Sequence, residues 1–288
     1  MRAHDYILAR QTSWAENRGI SLIGSKGARG KRTYTPELNL NLFEPLLPEV
    51  KESFLKGDGN EILGSPNSPA KMQAVHSSSV LGVNIFHYWQ SIGQISEIAA
   101  ACGFCNPGND VSEKIVFEDK YPIAPAFSFP PNIDVVFHNK PTSRYQRFAV
   151  ECKFSEAYGS MKHGGMKSAY LKIESIWRGI PNLKSLAELI SPDDNRFDFL
   201  HPAQLIKHIL GLKQACGKNG FRLLYLWYDA PGREGAVHRE EINTFSQVAK
   251  SDKIKFHALS YQELISRLNQ RFRDDHNSYI SYMTGRYL

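Results

Sequence analysis

The chain has 288 residues, 42% of them hydrophobic, with 35 Lys and Arg against 29 Asp and Glu for a formal charge of +6. That is enough apolar content for one large core, and a single elaborated domain is favoured over two modest ones. Four cysteines in so long a chain exclude a disulfide framework, and no apolar run approaches the roughly 18 residues needed to cross a bilayer. The N-terminus also lacks a secretory apolar region, so the expectation is a soluble, cytoplasmic protein with no membrane contact. A pI near 9.0 leans towards a polyanionic partner.

Residues 4–18 are predicted to form an amphipathic helix with Tyr6, Ile7, Leu8 and Trp14 on its apolar side. The stretch 24–32 follows, a flexible basic segment in which Lys26, Arg29, Lys31 and Arg32 stand among glycines and small residues. It suits either an arm lying along phosphates or a solvated loop. Residues 41–54 are apolar and interrupted by Pro45 and Pro48; the part around Glu49 reads as helical and leads to the turn Gly57-Asp58-Gly59-Asn60, directly before Glu61. Ser65-Pro66-Asn67-Ser68-Pro69 is a further break. Residues 76–90 open with hydroxyl N-cap candidates and are predicted helical, burying Val80, Leu81, Val83, Asn84 and Phe86, with a second helix over 92–101. Cys102 and Cys105 form a Cys-x-x-Cys unit; zinc would need two further ligands, with only His76 and His87 nearby, and a thiol pair in a helix-ending turn is the favoured reading.

A short strand at 114–117 and a Pro-rich segment deliver the chain into a predicted hairpin over 133–154. Strand side chains alternate, so Phe148, Val150, Cys152 and Phe154 share one face, and Ala149, Glu151 and Lys153 the other. In the first arm Ile133, Val135 and Phe137 oppose Asp134 and Val136. If the turn centres between Thr142 and Ser143, Asp134 lies opposite Glu151 and Phe137 opposite Phe148, which gathers Asp134, Glu151 and Lys153 into one cluster. Two carboxylates roughly 5 Å apart repel each other. Lys153 offsets one charge, and a divalent cation such as Mg²⁺, which takes hard oxygen ligands, would offset the other. The alternative is a surface hairpin carrying ordinary charges. Two other Glu-x-Lys triplets occur: Glu49-Val50-Lys51 reads as helical, and Glu118-Asp119-Lys120 ends a strand. Only Glu151-Cys152-Lys153 lies inside an alternating apolar run.

Beyond the hairpin, 159–165 is read as a mobile loop carrying Lys162 and His163, and 167–190 as helical with a break at Gly179-Ile180-Pro181. Residues 201–216 make a stronger helix, with Pro202 in its first turn and Leu205, Ile206, Ile209, Leu210 and Leu212 as its buried stripe. A strand at 221–228, a helix at 239–250, a strand at 254–259 and a helix at 260–273 opened by a Ser260/Glu263 capping box complete the order, before a helical or partly frayed tail. His163, His201 and His208 lack the spacing of a defensible motif and are assigned structural or solvent-facing roles.

The order from Glu61 onward, with Pro131-x-x-Asp134 and Glu151-x-Lys153 on the second and third strands, resembles the PD-(D/E)XK nuclease superfamily. The stretches GDGNEI, HSSSVLGVNIFHYW and LHPAQLIKHILGL resemble bacterial restriction-endonuclease-like members of it. One departure is that Asn132 and Ile133 separate Pro131 from Asp134. The resemblance implies an α/β fold with a restriction-endonuclease-like mixed sheet of core order αβββαβ flanked by helices. Residues 1–60 would be an N-terminal helical and basic extension, and 61–288 the nuclease-like domain. It further implies that Asp134 and Glu151 bind Mg²⁺, with Mn²⁺ able to substitute, and that the Cys152 carbonyl is a further ligand. Lys153 would orient or activate water and stabilise the transition state. Glu61 is the candidate for a Glu from the first helix, with Glu97 in reserve, and Gln204 for a Gln at the start of the helix after the Lys strand. Lys26, Arg29, Lys31, Arg32, Lys162 and Lys167 are candidate phosphate contacts. The expected function is a metal-dependent endonuclease acting on DNA in restriction or phage defence, working as a homodimer because a double-strand cut takes two sites. Alternatives are a silent nuclease fold that only binds nucleic acid, a nuclease acting on RNA, or an interaction protein indifferent to nucleic acid.

Overall fold

The computed structural model describes every residue except Gly27, Ala28, Asp58, Asn60, Pro66, Asn67 and Met161. The turns expected at Gly57-Asp58-Gly59-Asn60 and Ser65-Pro66-Asn67-Ser68-Pro69, and the tip of the basic stretch, therefore lie partly outside the described residues.

Period-two alternation and β-branched or aromatic content make three consecutive strands in the middle of the chain: β3 (Ser112–Lys120), β4 (Asn132–Asn139) and β5 (Arg147–Lys153). Ahead of them come α1 (Ala3–Asn17), β1 (Ile23–Lys26), β2 (Arg29–Tyr34), α2 (Pro48–Lys56), α3 (Ser78–Ser91) and α4 (Ile95–Ala101). After them come α5 (Ser168–Leu171), α6 (Pro181–Leu189), α7 (Pro202–Cys216), β6 (Phe221–Trp227), α8 (Arg233–Ser251), β7 (Phe256–Ser260), α9 (Tyr261–Phe272) and α10 (Asn277–Tyr287). The main sheet has five strands in the order β3-β4-β5-β6-β7. The β3/β4 and β4/β5 pairs are antiparallel, whereas β5/β6 and β6/β7 are parallel, with α7 and α8 as the crossovers. This is a restriction-endonuclease-like mixed α/β arrangement, as expected.

Helices cover both faces. Val135, Phe137, Phe148, Val150, Cys152 and Leu226 pack with α1, α3, α4, α9 and α10. Val136, Ala149, Leu223, Tyr225 and Trp227 pack with α6, α7 and α8. The approach of α3 is close: a Cβ on Gly82 would stand 3.3 Å from the Cys152 sulfur. The charged face of the hairpin is therefore the face that looks towards α7.

Several expectations are corrected. The basic stretch is not a loose loop: β1 and β2 form an antiparallel hairpin that presents Lys26, Arg29, Lys31 and Arg32 to solvent. The end of the segment read as a mobile loop is tied down by an antiparallel bridge between Gly164 and Asp193 and by the Gly165 N–H donating to the Pro192 carbonyl at 2.8 Å. Only half of the capping box forms: the Ser260 hydroxyl accepts from the Glu263 N–H, while the Glu263 carboxylate turns to Arg267 at 2.6 Å. Ile133 packs in the layer of Val136 rather than with Val135 and Phe137. Its partner strand turns over at Glu118, where φ is +55°. The tail is a docked helix, not a frayed one. Its Arg286, 1% exposed, donates to the Asn41 carbonyl and side chain, Gln11, Tyr282 and the Val75 carbonyl, joining α10 to α1 and to the segment before α2. Among the described residues no helix is long and apolar enough to cross a membrane.

Candidate active site

The hairpin register matches the turn geometry read from the sequence: Val135 pairs with Val150, Val136 with Ala149 and Phe137 with Phe148. Beyond these pairs Glu151 reaches His208 of α7, and Asp134 lies close enough to Glu151 for the two carboxylates to repel each other. The Cys152 N–H donates to Asp134 Oδ2 at 2.7 Å, fixing that carboxylate across the two strands. Lys153 Nζ lies 2.6 Å from Glu151 Oε1, and His208 Nε2, from the middle of α7, lies 2.7 Å from Glu151 Oε2. With a carboxylate as acceptor, His208 Nε2 is the donor; its Nδ1 is buried without a partner among the described residues.

The electrostatics follow from burial and crowding. Burial pushes the Glu151 pKa up, but Lys153 and then His208 outweigh it and hold it down at about 2. Burial likewise opposes the charge on Lys153, yet Glu151, Glu156 and Asp134 keep its pKa well above the ordinary value, so the ammonium stays charged. Asp134 has no such compensation. Burial first, then Glu151, raise its pKa well above the ordinary 3.8 against the pull of Lys153, and Glu118 adds to the push.

Glu118 is the residue the sequence did not single out. Its triplet ends β3 as expected, but β3 pairs with β4 so that Phe117 faces Val135 and Asp119 faces Ile133, which sets Glu118 beside Asp134. Its carboxylate accepts from the Asn132 side chain at 3.3 Å. Burial, then repulsion from Glu61, raises its pKa to about 7. Glu61 approaches from the other side in coil ahead of α3, not on a helix as the resemblance implied. Ser79 donates to its Oε2 at 3.2 Å and Lys71 pairs with its Oε1 at 3.3 Å. Glu97, the reserve, is engaged elsewhere, 2.6 Å from Arg271 on the border of a separate cavity of about 730 Å³.

Four carboxylates, Glu61, Glu118, Asp134 and Glu151, thus face two lysines, Lys71 and Lys153, and the deficit is positive charge. Glu151 Oε1 is buried and, despite its ion pair, lacks an aligned hydrogen-bond donor. An acceptor of this kind, beside a carboxylate that is hard to ionise alone, fits a hard divalent cation. Among the described residues no three Asp, Glu, His or Cys side chains converge closely enough to hold an ion by themselves. Mg²⁺ commonly takes one or two carboxylates and completes its shell with water and phosphate oxygens, which suits this set.

Two clefts meet the cluster. One, of about 510 Å³, is bordered by Lys153, Glu156, Lys162 and four histidines, among which His163 and His201 stack with ring centroids 4.6 Å apart. The other, of about 530 Å³, is bordered by Asn132, Lys167, Gln204, Lys207 and His208. Gln204 does sit in the first turn of α7, one turn before His208 and on the same cleft. Lys162 and Lys167 border the clefts. His208, assigned only a structural role from sequence, holds the hairpin glutamate; its spacing of four from Gln204 on one helix face was the available signal.

No curated protein and no solved structure matches the chain. A family model described as "Restriction Endonuclease associating with ARP" matches residues 8–288. The match spans nearly the whole chain, both arms of the charged hairpin and α7 included, and the chain belongs to that restriction endonuclease family.

Proposed function

We propose that the chain is a metal-dependent endonuclease of the PD-(D/E)XK type that hydrolyses phosphodiester bonds in DNA. The observation that carries this reading is the gathering of Asp134, held by the Cys152 N–H at 2.7 Å, beside Glu151, with Lys153 Nζ 2.6 Å from the glutamate. Asp134 and Glu151 would hold Mg²⁺ or Mn²⁺, with the Cys152 carbonyl as a further oxygen donor and Glu61 and Glu118 at the border of the site. A cation so held supplies Lewis acidity and a lower pKa for bound water. Lys153, charged because three carboxylates surround it, donates to a non-bridging phosphate oxygen and stabilises the charge that builds there in the transition state. His208 keeps the Glu151 carboxylate turned so that Oε2 is occupied and Oε1 faces Lys153. Gln204 lies within the same cleft to orient substrate or water.

The exposed positives Lys26, Arg29, Lys31 and Arg32 on the β1/β2 hairpin, with Lys162 and Lys167, would carry the DNA backbone. We take the active form to be a homodimer, since two sites are needed to cut both strands. The family's description names an association with ARP, which we carry to this chain as an expected partnership in restriction or phage defence.

The test is cleavage of supercoiled plasmid, methylated and unmethylated, with Mg²⁺, Mn²⁺ or EDTA, beside Asp134→Ala and Lys153→Ala. Metal-dependent nicking that both variants lose supports the reading. Binding without cutting under every metal would make the chain a silent nuclease fold, and cutting confined to structured RNA would move the substrate.

A further inference from the structure

The loop between β3 and β4 carries two phenylalanines with opposite fates. Phe127 stacks on Tyr170 of α5, with ring centroids 3.9 Å and planes 13° apart. Phe129, two residues on, is 83% exposed. Pro130 and Pro131 follow, and their fixed φ stiffens the chain as it enters β4 at Asn132. Phe129 is therefore held in solvent by a loop anchored on one side by a ring stack and on the other by the sheet. A single exposed phenylalanine on a loose loop would mean little. This one forms the wall of the cleft that also holds Lys167, Gln204, Lys207 and His208. At about 3.3 Å per extended residue it stands within roughly 17 Å of Asp134.

The same cleft is lined by cations. Lys167 is exposed and Lys207 half-buried, and neither has a carboxylate partner among the described residues. Burial, then repulsion from Lys167, lowers the Lys207 pKa. The cleft has positive charge without an anion, faced by an unpaired aromatic ring, and it ends at the histidine that holds Glu151. Phosphate and base are the complementary ligand chemistry: cations track the backbone and an aromatic ring stacks on any base.

We propose that this cleft seats one nucleotide of the strand being cut, with Phe129 stacked on its base and Lys167 and Lys207 on its phosphate. The proposal rests on the nuclease reading and deepens it. A base lying on Phe129 has left its duplex partner, so the preferred substrate is DNA with an unpaired or extruded nucleotide beside the cleaved bond. Extrusion costs least where the base is already unpaired, and that difference sets the preference.

The test uses the full chain and duplexes carrying 2-aminopurine either at a single unpaired position or fully paired. Binding is read in EDTA by anisotropy and 2-aminopurine fluorescence, and cleavage separately in Mg²⁺. Wild-type protein is expected to bind and cut the unpaired duplex preferentially and to change its 2-aminopurine emission. Phe129→Ala, at an exposed position that does not endanger folding, is expected to weaken that binding about tenfold, lose the emission change and lose the preference. Phe129→Trp keeps all three. Lys167→Ala/Lys207→Ala is expected to weaken binding to both duplexes and to flatten the salt dependence. If Phe129→Ala matches the wild type on both duplexes while the wild type cuts, the stacking subsite is wrong and the nuclease reading stands. If the wild type neither binds nor cuts either duplex, the nuclease reading itself fails and takes the subsite with it.

Discussion

Asp134→Asn is expected to stabilise the metal-free protein while removing its activity. Glu151 repels Asp134 in the buried cluster; for a separation of about 5 Å and an effective dielectric near 20, two such charges repel by about 3 kcal/mol. Lys153 and the partial exposure of Asp134 reduce this, leaving about 1–2 kcal/mol to be gained. Asparagine Oδ1 can still accept the Cys152 N–H, so the hydrogen bond survives the change. The sign with pH follows from the raised pKa. The folded Asp134 binds its proton more tightly than the ordinary 3.8, so its contribution is fully present below that pH and is lost as pH rises through the folded value. The variant has nothing to lose, and its advantage should open as pH climbs above the ordinary 3.8. At about 2 °C per kcal/mol for a chain of this size, Tm in EDTA at pH 8 should rise by about 2–4 °C. Mg²⁺ should invert the order, because an ion that binds only the folded wild type adds about 2.7 kcal/mol at a hundred times its Kd. Calorimetry across pH in EDTA and in Mg²⁺ reads both effects. A variant less stable than the wild type at pH 8 in EDTA, or raised equally by Mg²⁺, would refute the reasoning.

Lys153→Ala should lower cleavage at least about a hundredfold while DNA binding in EDTA stays within a few-fold, as single-turnover assays and anisotropy would show. His208→Ala removes the donor to a buried carboxylate and should reduce single-turnover cleavage about ten- to a hundredfold, whereas His208→Gln, which keeps an N–H, should recover part of it; equal loss in both would mean that His208 only fills space. Glu118→Gln should leave stability unchanged near pH 4 and raise it progressively from there to about pH 7, where the effect levels off, because the carboxyl it replaces keeps its proton to about pH 7 when folded but to only 4.5 when unfolded; denaturant titrations at pH 4 and pH 8 check the sign. Arg286→Met should cost about 3 kcal/mol in urea unfolding, because it takes the donor from the buried Asn41 Oδ1 and Gln11 Oε1.

Local periodicity determined much of this protein. The alternation from Val135 to Lys153 and the turn around Thr142 set both the strand pair and its register, because a slip by one residue would exchange the faces and drive Glu151 and Lys153 into the apolar layer of Val150 and Cys152. The stripe Leu205, Ile206, Ile209, Leu210 and Leu212 likewise determined α7 and its buried face. From these alone Asp134, Glu151 and Lys153 could be grouped. What the sequence could not express is contact between segments whose spacing follows no period. His208 meets Glu151 across 57 residues, through a crossover that decides where along β5 the helix lies. Glu118 joins the carboxylates only because β3 pairs with β4 in one register and turns over at a left-handed residue, a conformation that a glutamate does not announce. Glu61 reaches the cluster from coil, held by Ser79 and Lys71 rather than by any helix. The basic stretch paired into β1 and β2 although its glycines favoured a loop, because strand pairing satisfies backbone groups whatever the side chains prefer. Periodicity chose the faces; only the tertiary structure decided which faces met, since that depends on packing between elements far apart in the chain.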